Sequence, residues 1–171
     1  MKRLNVGCGD VPTEAWDNYD NSFTVRLAHW PLAVAVLAKF GALSSRQLQF
    51  VRVVKQQGVR YANVVRRIPE SDASVEALYT SHMLEHLDRD EAEQFLKEAR
   101  RVLISGGILR VAVPDLRFHV ENYLNSADAD DLVGNLFMAV PKTKGLLGKL
   151  KYLLIGERHH LWMYDGLSLC R

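Results

Sequence analysis

Leu4-Asn5-Val6 is a short apolar run that breaks at Gly7-Cys8-Gly9-Asp10, which predicts a strand entering a glycine-rich turn. A second short segment around Trp16 closes on polar Asn18-Tyr19-Asp20-Asn21. Residues 22–58 read as mainly helical: Leu48, Val51, Val54 and Val59 fall loosely on one face, and Arg46, Arg52 and Lys55 lie elsewhere. Pro31 is expected to start or kink a helix there. Residues 59–64 alternate as a strand would, Ile68-Pro69-Glu70-Ser71-Asp72 reads as a turn, and Val75–Thr80 is a buried strand. Asp88 followed by Glu91 forms a capping-box pattern. Ala92, Phe95, Leu96, Ala99, Val102 and Leu103 then keep helical spacing, and Gly106-Gly107 is the expected stop. Residues 108–113 predict a further strand ended by Pro114-Asp115, and residues 116–125, 129–139 and 145–155 predict short helices. Strands alternating with helices indicate an α/β fold with a mainly parallel sheet, whose ligands sit beyond the carboxyl ends of the strands.

Composition narrows the class. The 171 residues are 48% hydrophobic and 25% charged, ordinary for one globular domain and unlike a disordered or collagenous chain. A net charge of +2 is far from the clustered excess of a nucleic-acid binder, so no nucleic acid is expected. Cys8 and Cys170 make neither a zinc site alone nor a disulfide framework, which suits a reducing, cytoplasmic setting. The N-terminus turns polar too soon for a signal peptide. The stretch from Leu27 to Leu43 is interrupted by His29, Pro31 and Lys39 and falls short of a membrane span. Peripheral contact through a surface-lying helix stays open.

Three constellations could carry chemistry. The first is Asn5, Gly7, Cys8 and Gly9 with Asp20: glycines let the backbone approach a ligand, and a carboxylate ending the next strand can hold ribose hydroxyls. A dinucleotide site is excluded by spacing, because a third glycine is missing and Asp20 follows after about ten residues rather than about twenty. The second is Ser81-His82-Met83-Leu84-Glu85-His86, directly after a strand. A plain helix start is one reading. His82-Met83-Leu84-Glu85-His86 also matches the inverted zinc-peptidase pattern, with Glu85 as base and distant Glu157 as the remaining ligand. The third is Glu157-Arg158-His159-His160-Leu161-Trp162-Met163-Tyr164-Asp165, read as surface histidines beside a packed Trp or as a loop over a pocket. Lys142, Lys144, Lys149, Lys151 and Arg158 make this tail basic: a solvated face, or one drawn to phosphate, acidic glycan or anionic lipid.

Taken in order, these residues resemble a class I S-adenosylmethionine-dependent methyltransferase of the small bacterial, methyltransferase type 11-like kind, from Leu4 to Asp115. LNVGCGD resembles the first motif, AWDNYD the second strand and its acidic end, IPESDASVEALYTSHMLEHL the turn and fourth strand, and FLKEARRVLISGGILRVAVPDL the next helix and fifth strand. GERHHLWMYDG is similar to the late segment of an uncharacterised branch. The resemblance implies a Rossmann-like sheet flanked by helices, in a single domain over residues 1–171. A helical insertion at 22–58 and a helical tail at 116–171 would cap the pocket and choose the acceptor, with Trp30, Phe40, Phe50 and Trp162 in the lining or the core. It implies S-adenosyl-L-methionine as cofactor, held by Asn5, Gly7, Cys8, Gly9, Asp20 on the ribose, Asn63 by the adenine, Ser81 and His82. His82 and His86 are the catalytic candidates, no metal is assigned, and the acceptor would be a small molecule or glycan.

The sequence departs from that family in three ways. The third glycine of the loop is absent, the first crossover is too short for a helix, and the chain ends before the last two strands of a seven-stranded fold. It therefore reads as C-terminally truncated: a fragment, or a chain whose open fifth strand a homodimer or strand exchange would cover. A non-catalytic module of the same fold is the rival reading.

Overall fold

In the computed structural model, residues 1–137 and 159–170 are described. The expected helix over 145–155, Glu157, Arg158 and the four tail lysines lie outside the described residues, as does the end of the helix expected over 129–139. The chain divides into two compact units, Met1–Ser81 with Glu93–Val111, and His82–Ala92 with Ala112–Arg171.

The first unit is built on the sheet. Strands β1 (Lys2–Val6), β2 (Asp17–Asp20), β3 (Arg60–Tyr61), β4 (Val75–Ser81) and β5 (Leu103–Ala112) stand in the order β3-β2-β1-β4-β5. β1 runs parallel to both β2 and β4, and β2 runs parallel to β3. Val6 registers with Tyr19 on one side and Thr80 on the other, so the carboxyl ends of β1, β2 and β4 are level. This is the Rossmann-like α/β arrangement that the alternation predicts.

Residues 22–58 contain three helices: α1 (Phe23–Leu27), α2 (Pro31–Lys39) and α3 (Ser45–Gln57). Pro31 opens α2, as its fixed φ and missing N–H favour. A capping box starts α3, with Ser44 Oγ accepting from the Gln47 N–H at 3.3 Å and Gln47 Oε1 accepting from the Ser44 N–H at 2.9 Å. Gly58 ends it at φ 64°. Phe50, Val51 and Val54 of α3 pack with Cys8, Val25, Ala28 and Val59 into one apolar cluster. Phe50 is thus core. Trp30 and Phe40, by contrast, are 70% and 79% exposed and belong to neither a core nor a closed pocket.

Helix α4 (Arg89–Val102) follows the Asp88 cap, whose Oδ1 accepts from the Glu91 N–H at 2.8 Å. Phe95, Ala99 and Val102 are buried on its inner face, while Leu96 turns outward. Two boundaries differ from expectation. The helix stops at Val102 and strand backbone begins at Leu103, so Gly106-Gly107 lies inside β5 rather than ending α4. A Cβ on Gly107 would stand 3.0 Å from Ile104 O and 3.2 Å from Glu76 O, so the glycine serves a close backbone approach. The strand expected over 59–64 shrinks to Arg60–Tyr61, because the Arg66 and Arg67 N–H groups turn back onto Asn63 O.

In the second unit, α5 (Leu116–Ser126) is capped by Asp115 and α6 (Ala129–Asn135) by Asp128. A short helix covers Gly166–Leu169. The Leu116 N–H donates to Tyr164 O at 2.8 Å and joins the chain on either side of the undescribed segment. Among the described residues, no helix is long and apolar enough to cross a membrane.

Candidate functional site

The chain leaves β1 through Gly7 and Gly9, both left-handed at φ 67° and 54°. An L side chain at either position would be strained. The Gly7 and Cys8 N–H groups both donate to Tyr19 O, at 2.8 and 3.2 Å, which folds the loop over the end of β2. There Asp20 is 1% exposed. Its Oδ2 accepts from the Gly9 N–H at 3.1 Å and its Oδ1 from the Ser22 N–H at 2.7 Å. Nothing stands within 4 Å of where a Gly9 Cβ would be, so the loop presents bare backbone beside a buried carboxylate.

Asn5 works beneath the loop. It is buried, and its Nδ2 donates to Thr13 Oγ1 at 2.9 Å. Asn18 holds the same stretch, accepting from the Thr13 N–H and donating to Thr13 O and Trp16 O. Burial, and then the Asp20 carboxylate, push the Cys8 thiol up to about 12. It is therefore a neutral packing group and not a nucleophile. The Ala62 N–H donates to Asp20 O at 3.2 Å and brings half-buried Asn63 to this end of the sheet. Asn63 Oδ1 accepts weakly from the Arg66 N–H at 3.4 Å. Ser81 ends β4 one residue beyond Thr80, the register partner of Val6. Asn5, Gly7, Cys8, Gly9, Asp20, Asn63 and Ser81 therefore share the carboxyl end of the first unit's sheet.

His82 and His86 belong to the second unit. His82 sits at φ 52° and its N–H donates to Ala112 O at 3.0 Å. Its Nδ1 hydrogen-bonds to Glu85 Oε1 at 3.1 Å, and its side chain is 68% exposed. Only Leu84–His86 is helical here, as a single 3-10 turn. The α-helical face that the inverted zinc-peptidase pattern requires of His82 and His86 does not form. Glu85 is fully buried, and its backbone oxygen accepts from the Leu161 and Trp162 N–H groups at 2.8 and 3.1 Å. His86 Nδ1 donates to His159 O at 3.0 Å.

His160 corrects the reading of surface histidines: its side chain is 6% exposed, with Nε2 3.9 Å from Glu85 Oε1. Burial holds its imidazole below the ordinary value, against the pull of Glu85. The rings of His86 and His160 meet edge to face at 5.0 Å. Trp162 remains 43% exposed under the Arg89 guanidinium instead of packing inside. The sequence names every member of this group but not the gathering. The signal available was the presence of two His-containing segments, at 82–86 and 159–160.

A separate groove of about 470 Å³ lies on the sheet of the first unit, lined by Arg3, Thr13, Trp16, Glu76, Tyr79 and Arg110 among others. Its charges are already engaged. Arg3 pairs with Glu76 at 3.5 Å, and Arg110 stacks over Tyr79 at 5.4 Å.

Comparison with known proteins supplies three findings. A family model described as "Methyltransferase domain" matches residues 4–111. No curated protein matches. Among solved structures, one titled "DhpI-SAM-HEP complex" aligns with 16% identity and a TM-score of 0.40, over 75% of this chain and 53% of that one. The chain therefore spans about half the length of that structure.

Proposed function

We propose that this chain, which belongs to the methyltransferase-domain family of class I S-adenosylmethionine-dependent methyltransferases, transfers a methyl group to a small-molecule or glycan acceptor. S-adenosylmethionine is its cofactor. One observation carries the reading: the bare, left-handed Gly7–Gly9 backbone is hydrogen-bonded to the carboxylate at the carboxyl end of the neighbouring strand. The residues present fit the group. Gly9 offers space where any other residue would place a side chain, and Asp20 offers buried carboxyl oxygens that can accept from ribose hydroxyls.

In this reading Asn5, Gly7, Cys8 and Gly9 shape the cofactor loop, Asp20 accepts from the ribose, Asn63 meets the adenine edge, and Ser81 lines the cofactor. Asn5 acts through Thr13 rather than by touching ligand. When bound, the cofactor supplies an electrophilic methyl on a sulfonium that is already a good leaving group. The protein's tasks are then to bind, align the acceptor and exclude water. His82 is proposed as the group beside the cofactor that takes a proton from a hydroxyl acceptor, with its imidazole oriented by Glu85. His86 is the weaker candidate, since its Nδ1 is committed to a backbone carbonyl. The proposal includes one domain over residues 1–171, with the 22–58 helices and the tail from 116 choosing the acceptor. It also includes a cytoplasmic location and a homodimer covering β5, which lies at one end of the strand order with Ile108 63% exposed.

A non-catalytic module of the same fold is the second reading: each Asp20 oxygen accepts a backbone N–H and, like any carboxylate oxygen, can accept from more than one donor, so the carboxylate serves cofactor binding with or without turnover. Isothermal titration with S-adenosylhomocysteine tests the shared claim. Saturable heat is expected, and Asp20→Asn should weaken binding at least tenfold, about 1.4 kcal/mol. Folded protein that takes up no ligand at millimolar concentration refutes the reading. Wild-type affinity in Asp20→Asn removes the ribose assignment. Tight binding without turnover on a panel of hydroxyl and amine acceptors selects the module.

A further inference from the structure

We infer that Glu85, His86 and His160 form a binding site for a first-row divalent transition ion, with Zn²⁺ the natural occupant. One ligand atom from each of the three lies within 4.8 Å of the others. Tetrahedral zinc with bonds of about 2.0–2.2 Å sets its ligands roughly 3.3–3.5 Å apart, so the three atoms need to close by little more than an ångström. All three residues belong to the second unit.

One buried polar atom points to a missing partner. Glu85 is 0% exposed and its Oε2 has no hydrogen bond, while Oε1 is bonded by His82. The His160 side chain is 6% exposed, and its Nε2 stands 3.9 Å from Glu85 Oε1. A carboxylate oxygen withdrawn from water without a partner carries its full desolvation cost, which a bound cation removes. His86 is already prepared as a ligand. The carbonyl of His159 can only accept, so Nδ1 carries the proton and Nε2 keeps its lone pair. A backbone carbonyl orienting the far nitrogen is the usual second partner of a metal-bound histidine.

The donor set chooses the ion. Two imidazoles and one carboxylate suit zinc, iron or cobalt rather than magnesium or calcium, which prefer all-oxygen shells. Three protein ligands leave a coordination position open. Neither Cys8, whose packing cluster lies in the first unit, nor exposed Cys170 is called upon.

The test uses the full chain, freed of metal by a chelator and titrated with ZnCl₂ against a chromogenic competitor. One equivalent per chain is expected, with micromolar or tighter affinity. Glu85→Gln and His160→Ala should each weaken binding at least a hundredfold, and His119→Ala, on exposed α5, should leave it unchanged. CoCl₂ should give a d–d spectrum without a thiolate charge-transfer band. Absence of saturable binding by the folded wild-type chain overturns the site, whatever the variants do. A thiolate band, or zinc affinity that survives both substitutions in folded protein, overturns it equally. S-adenosylhomocysteine titration of the same samples reads the cofactor proposal separately.

Discussion

Gly9 and Gly58 make a natural comparison, because the two share a backbone conformation and differ in neighbourhood. Their φ angles are 54° and 64°, and neither has an atom within 4 Å of its missing Cβ. Alanine at either position costs roughly 1 kcal/mol from the left-handed backbone alone, with no clash to add. Gly58 only ends α3. Gly9 also holds its N–H on Asp20 and shows its backbone where the cofactor is expected. Urea unfolding should therefore report about the same loss for Gly9→Ala and Gly58→Ala. Titration with S-adenosylhomocysteine should separate them, with Gly58→Ala binding as wild type and Gly9→Ala weaker by tenfold or more. Equal affinities would mean that the loop's open space is not where the ligand lies.

At the level of elements, the caps and the amphipathic patterns were the most legible features. Asp88-x-x-Glu91 announced α4, and Pro31 announced α2, because each acts through chemistry confined to one turn. Ser44-x-x-Gln47 carries the same signal for α3 and can be read the same way. Ser44→Ala should lower stability by about 1 kcal/mol. Gln47→Ala combined with it should cost less than the two single losses added, since each side chain bonds the other residue's backbone. A double-mutant cycle in urea measures this, and strict additivity would show that the two bonds are independent. Features set by distant partners were illegible. Gly106-Gly107 looks like a helix stop, yet its meaning comes from the carbonyl of Glu76 on another strand. Val59–Val64 alternates like a strand, yet Asn63 bends the backbone after only two paired residues. In the candidate site, Gly7, Gly9 and Asp20 could be picked out from the strand-to-glycine turn and the acidic end of the next strand, and their proposed roles only from the family resemblance. The burial of Glu85 and His160 could not, because it depends on two segments more than seventy residues apart in the chain.

Across the first unit, one ionic knot joins segments that the sheet alone does not tie. Glu70 is 8% exposed; it bonds Lys2 of β1 through Oε2 and accepts from the Tyr19 hydroxyl of β2 at 2.9 Å. Arg101 of α4 closes the same turn, donating to Glu70 O and Ile68 O at 2.9 Å and pairing with Glu98 and Asp72 at 2.7 Å. Burial pushes the Glu70 carboxyl up, but the hydrogen bonds from Lys2 and Tyr19 and the charges of Lys2 and Arg60 outweigh it and hold the carboxyl below its ordinary value. The Arg101 guanidinium does the same to Glu98. A carboxyl that is more acidic in the folded chain binds fewer protons there than in the unfolded chain. Its stabilisation is complete above the unfolded value of about 4.3 and is lost as pH falls through the lower folded value. Tyr19 has the opposite sign: burial, then its bond to Glu70, raises its phenol, so its contribution fades only as pH climbs beyond the unfolded value of about 10. Glu70→Gln should therefore lose about 1–3 kcal/mol at neutral pH. Its stability should also fall less steeply than that of the wild type below about pH 4.3, because Glu98 alone then supplies the acid limb of this knot. Urea midpoints taken from pH 7 downward will decide it. Two parallel curves would mean that Glu70 is no more acidic folded than unfolded, and that the knot holds by shape and not by charge.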